Sequence, residues 1–169
     1  TDMSAGNFSR YFPSKDAIIE AMVAHDLTEV DAAMRTILDA GDPRETLLAV
    51  LAERIDDAAC RSDGAIWAEI EAAAIRRPAV RQSLERLEAT IARNFTRVFA
   101  RIAGLPETRA QVLFHAHAKL LIVVVKGATV QMGRGHEGAA DHSDLRRLVL
   151  RTVSRLLDDV AASAQDPSA

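Results

Sequence analysis

Residues 4–22 read SAGNFSRYFPSKDAIIEAM, and the fold is decided by how this stretch changes character in the middle. Phe8 and Phe12 stand four residues apart, so in a helix they share one face and pin a short segment to its neighbours. Pro13 cannot continue that segment. Ser14 then offers a side-chain acceptor at a helix start, and Asp16 in the first turn suits the positive end of the helix dipole. The reading is a short helix, a turn, and a long helix over 14–40 that Gly41 stops. Ile19, Met22, Leu27, Val30, Met34 and Ile37 recur along it at the three-to-five spacing of a helical face.

Helical periodicity continues outward, without the strict alternation of a half-buried strand. Asp42-Pro43-Arg44-Glu45 has an N-cap, a proline at the first helical position and a glutamate placed to complete a capping box. It predicts a helix to about Cys60. A break at Arg61 to Gly64 separates it from a helix over 65–76. Pro78 opens the next, in which Val80, Leu84, Leu87, Ile91, Phe95, Val98 and Ile102 make one face. Gly104 and Pro106 divide this from a single helix over 107–132, whose middle, Leu120 to Val125, is apolar all round and so predicts cover on every side. The glycine-containing stretch from Gly133 to His142 reads as a loop, and a last helix spans 143–163. The fold class is all-α.

The opening stretch also carries chemistry. An element that approaches phosphate oxygens and base edges needs small residues at its start and short polar groups on one face. Ser4, Ala5, Gly6 and Asn7 meet that need, and Arg10 and Tyr11 are left to reach backbone phosphate. Lys15, at the start of the long helix, puts a cation where phosphate would lie. SAGNFSRYFPSKDAI, residues 4–18, resembles the end of the DNA-binding domain of the TetR family of transcriptional regulators, where the recognition helix runs into the fourth helix. The resemblance is specific over about twenty residues. It implies that Ser4, Ala5, Gly6 and Asn7 approach bases and phosphates and that Tyr11 and Lys15 contact phosphate. Ser9 departs from the family pattern, which has a tyrosine there that reaches the DNA backbone. The family's first helix and most of its second are expected upstream of Thr1, as short helices rich in Arg and Lys.

On this resemblance the domains are expected to be a remnant of a helix-turn-helix domain over 1–13, a linking helix over 14–40, and a ligand-binding and dimerisation domain over 41–169. The partners implied are a palindromic double-stranded DNA operator, a small and largely apolar effector, and a second copy of the chain. The function implied is a ligand-responsive regulator, most often a repressor in this family. The competing reading is an all-α dimerisation or scaffold module without an effector, and a cavity rather than a filled core discriminates the two.

Composition narrows the alternatives. The 169 residues carry a formal net charge of −3, which argues against a general nucleic-acid binder but suits a small DNA-reading module joined to an acidic domain. One cysteine, Cys60, cannot make an internal bridge or a thiolate cage. The apolar run at 120–125 is far below the roughly 20 residues of a membrane span, so no membrane partner and a cytoplasmic location are expected. His115 and His117, two apart, cannot chelate one metal as an i, i+4 pair could. His136, Glu137, Asp141, His142 and Asp144 read as a solvated loop rather than a metal site. No nucleophile stands with a placed base and no glycine loop cradles phosphate, so neither enzyme activity nor a cofactor is expected.

Outside the opening stretch the aromatics are few: Trp67, Phe95, Phe99 and Phe114, on three successive expected helices. Taken singly each reads as core. Together they predict the lining of a cavity between helices, with Glu71, and after it Asn94, Thr96 and His117, as polar groups to orient a ligand.

Overall fold

The computed structural model describes residues 15–56, 58–133 and 139–163. Among these are seven helices and no strand: α1 (Lys15–Asp39), α2 (Pro43–Asp56), α3 (Ala58–Arg76), α4 (Pro78–Ala103), α5 (Glu107–Leu113), α6 (His115–Gly133) and α7 (Ala139–Ser163). The all-α class is as expected. Ser4, Ala5, Gly6, Asn7, Arg10 and Tyr11 lie outside the described residues, as do the proposed cap Ser14 and much of the glycine stretch. Lys15 opens α1.

The local signals act where the sequence puts them. Asp42 Oδ1 accepts the Glu45 N–H at 3.0 Å, so α2 starts with one of its orphan donors satisfied. Pro78 sits in the first turn of α4, and Gly104 ends that helix at φ 66° with its N–H on the Ala100 carbonyl, a left-handed cap that a side chain would strain.

Several helices differ from the sequence expectation, the one expected to reach about Cys60 ending at Asp56. No break occurs at 61–64: α3 runs through Gly64, where an added Cβ would stand 3.1 Å from the Thr129 carbonyl oxygen and 3.3 Å from the Val130 Cα. The glycine is an approach of α3 to the α6 backbone, not a stop. Conversely, the single helix expected over 107–132 is two, α5 and α6, meeting at a 66° bend. Phe114 makes the corner with φ −109° and ψ 11°, and its ring is 1% exposed. Burying that ring beside Phe99 outweighs the continuation of a straight helix. The final helix also begins at Ala139, four residues earlier than expected.

α4 is the axis, contacting every other described helix, most extensively α1. Met34 and Ile37 of α1, Leu47 and Leu51 of α2, Phe95, Val98 and Phe99 of α4, Leu121 and Ile122 of α6, and Val153, Leu157 and Val160 of α7 form the main buried cluster. A second cluster joins Val23, Ile70, Val80, Leu84 and Leu87, from α1, α3 and the first half of α4. Polar bonds fix the α1–α4 pair. Asn94 donates to Asp31 Oδ1 at 3.1 Å, and Arg101 caps the end of α1 by donating to the carbonyls of Leu38 and Ala40. α2 is tied to α7 near both ends. Arg44 donates to Ser154 at 2.9 Å and to Asp158 at 2.6 Å, and Arg146 holds both oxygens of Asp56, at 2.5 and 2.6 Å.

The middle of α6 is not covered on every side. Leu121 and Ile122 are buried, whereas Leu120 and Val123 are 51% and 66% exposed, as is Leu148 of the adjacent α7 at 54%. No single described helix is long and apolar enough to cross a membrane.

Phe99, at 0% exposure and edge-on to Phe114 with centroids 6.2 Å apart, is filled core. Phe99→Ala should therefore carry the full truncation cost of about 3–5 kcal/mol in urea unfolding; a loss below about 1 kcal/mol would show that the ring borders a void.

Candidate functional site

A partly open cavity of about 900 Å3 is lined by residues of both of these clusters, among them Met34, Phe95 and Ile122 of the first and Leu84 and Leu87 of the second. Five helices wall it, each through residues one turn apart. α1 contributes Val30, Met34 and Ile37, α2 Leu47, Leu51 and Arg54, α3 Trp67 and Glu71, α4 Leu87, Ile91 and Phe95, and α6 Ile122, Lys126 and Val130. The volume is that of small-molecule sites, about 300–1,000 Å3. α1, the expected linking helix, is thus one wall of the cavity.

The sequence candidates divide. Trp67, Glu71 and Phe95 line the cavity. Phe99, Phe114 and His117 do not, so the expectation that four aromatic rings converge there is corrected. Phe95 stacks on Phe99 with centroids 6.3 Å apart, Phe99 meets Phe114 edge-on, and Phe114 meets His117 edge-on at 5.5 Å. The rings form a ladder leading away from the cavity to the α5–α6 corner. The turn at Phe114 diverts both that ring and His117, which a straight helix would have aimed elsewhere. Asn94 is spent on Asp31, and the Thr96 hydroxyl donates to the Arg93 carbonyl of its own helix at 2.8 Å.

Most of the polar groups that face the cavity lie outside the sequence candidates. Lys126 Nζ donates to Glu71 Oε1 and, at 2.9 Å, to Glu88 Oε1, so one ammonium joins α6 to α3 and α4. Arg54 donates to Asp26 Oδ1 at 2.9 Å, joining α2 to α1. The signal for Glu88 was present, since it falls on the Leu84–Ile91–Phe95 face of α4. Lys126 is the cation that ends the apolar run of α6. What the sequence could not supply was their meeting across three helices.

Burial disfavours the charged form of Lys126, but the hydrogen bonds and charges of Glu71 and Glu88 outweigh it and hold the ammonium above its ordinary 10.5. Attraction at this half-exposed site is screened by solvent.

A family-level profile described as "BetI-type transcriptional repressor, C-terminal" matches residues 43–158, well over half of the chain. The chain belongs to the TetR family of transcriptional regulators. No curated protein and no solved structure matches it. The matched span includes four of the five walls of the cavity, so in this TetR-family chain the cavity lies largely within the repressor-type C-terminal region.

The raised Lys126 value sets the sign of a pH effect. A raised folded-state pKa contributes stability that is complete below the unfolded value and is lost as pH rises through the folded one. As pH rises above the ordinary lysine value of 10.5, the melting midpoint of the wild type should fall more steeply than that of Lys126→Met; parallel curves would mean that the clamp has no linkage to folding.

Proposed function

We propose that this TetR-family regulator is a ligand-responsive, DNA-binding repressor that works as a homodimer. The observation that carries the reading is the cavity of about 900 Å3 walled in part by α1. A scaffold module has no need of such a space, whereas a regulator needs one whose filling moves helices.

In this reading residues 1–13 belong to the DNA-reading module, 14–40 form the linking helix, and 41–169 the effector and dimerisation domain. Ser4, Ala5, Gly6 and Asn7 approach bases and phosphates, and Arg10, Tyr11 and Lys15 contact the backbone of a palindromic operator. α1 spans 25 residues, or about 37 Å. It starts at the DNA-reading segment and carries Met34 and Ile37 into the cavity wall. Two recognition helices must stand about 34–36 Å apart to enter successive major grooves. An effector that prefers the conformer with another spacing lowers DNA affinity by its differential binding, typically about 1–3 kcal/mol. Trp67, Glu71 and Phe95 are its contacts among the sequence candidates, within a largely apolar wall.

The exposed apolar side chains of α6 and α7 support the dimer. Leu120 and Val123 stand one turn apart with Gly127 one turn further, where even a Cβ would meet nothing within 4 Å, and Leu148 lies on the neighbouring helix. Paired with its two-fold mate, this surface becomes a four-helix interface.

Two measurements test the reading. Binding of the protein to a selected palindrome should weaken steeply with salt; Asn7→Ala should relax sequence preference, and Lys15→Ala should weaken all sequences alike. Salt-independent binding would defeat it. In sedimentation the wild type should run as a two-chain species at micromolar concentration and Val123→Asp as a monomer. A wild-type monomer would remove the dimer from the mechanism.

A further inference from the structure

The cavity has apolar walls and a one-sided charge. Its carboxylates Asp26, Glu29, Glu53, Asp56, Glu71 and Glu88 outnumber its two cations, Arg54 and Lys126. Arg54 is engaged by Asp26 at 2.9 Å, and Asp56 is held from outside the cavity by Arg146 of α7. Lys126 is shared by Glu71 and Glu88, so a single ammonium serves two carboxylates and leaves that group net negative.

Taking the cavity as the effector site of the preceding section, we infer that it selects amphipathic organic amines, and that the Lys126 ammonium is a tethered stand-in for the ligand's own cation between Glu71 and Glu88. The exchange is chemically balanced. A ligand ammonium takes over the charge-assisted bonds to the two carboxylates, and its apolar body covers Trp67, Leu87, Ile91 and Phe95. The displaced Lys126, already 39% exposed, swings its head group to water on a flexible stem. A ligand carboxylate fares worse, because it takes Lys126 from Glu71 and Glu88 and must then lie beside both. A neutral ligand leaves the clamp closed. Displacement also unlinks α6 from α3 and α4, which gives an amine a way to move cavity walls that a neutral molecule of the same shape lacks.

Trp67 is the only tryptophan of the chain and lines the cavity, so its fluorescence reports occupancy. Titrations with octylammonium, octanol and octanoate vary the head group at constant tail. Octylammonium should bind about tenfold more tightly than octanol, because it brings a second cation to a group that Lys126 alone leaves net negative, and octanoate should bind most weakly. Lys126→Met removes the competitor and should tighten octylammonium several-fold with octanol unchanged. Glu88→Gln should weaken octylammonium selectively. Tightest binding by octanol or octanoate overturns the inference and leaves the effector cavity standing. Octylammonium binding that is weakened or unaltered by Lys126→Met, or left intact by Glu88→Gln, overturns it as well. If none of the three probes perturbs Trp67, the effector reading fails and the inference falls with it.

Discussion

The packing of α1 along α4 is the constraint on which the rest of the structure depends. α4 presents a stripe from Val80 to Ala103 that no single neighbour can cover, and α1 covers its longest part. The pair is fixed by more than apolar contact. Asn94 reaches Asp31 midway, and Arg101 satisfies the last carbonyls of α1, groups that would otherwise have no intrahelical partner. With that pair set, α2, α3 and α6 must close around it from three sides. Where they fail to meet the cavity opens, lined by residues of both the cluster at Phe95 and the cluster at Leu84.

Interiors pack at nearly crystalline density, so a void of about 900 Å3 needs walls that hold without contents. Here they are held by cross-helix ion pairs. Lys126 joins three helices, Arg54 joins α2 to α1, and Arg146 and Arg44 anchor α2 to α7. Such exposed or half-exposed pairs contribute little stability singly, typically about 0–1 kcal/mol. Their use is positional, and each can be broken at small cost. The approach of α3 to α6 at Gly64 sets the width on the side where Trp67 and Glu71 stand.

The match covers residues 43–158, whereas the family resemblance in the sequence came from residues 4–18. Two separate parts of the chain thus point to a transcriptional regulator. Within one chain the apolar run of α6 is covered on one side, with Leu121 and Ile122 buried and Leu120 and Val123 exposed.

Much was legible in the sequence because it is local. Asp42-Pro43, Pro78 and Gly104 mark helix ends through bonds and dihedral limits acting within a few residues, and the helical repeat marks the buried faces of α1, α4 and α7. Trp67, Glu71 and Phe95 could be nominated for the cavity since they are large or charged on faces that must turn inward. What the tertiary structure decided was everything that depends on two elements meeting. Gly64 reads as a break until α6 is laid against it. Phe114 reads as mid-helix until burial beside Phe99 makes a corner worth more than a continued helix, and that corner takes Phe114 and His117 away from the cavity. Lys126 reads as the end of an apolar run until Glu71 and Glu88 arrive from two other helices. The periodicity of one helix states which face is buried; which partner it finds, and whether the partners leave a space between them, is settled only by packing in three dimensions.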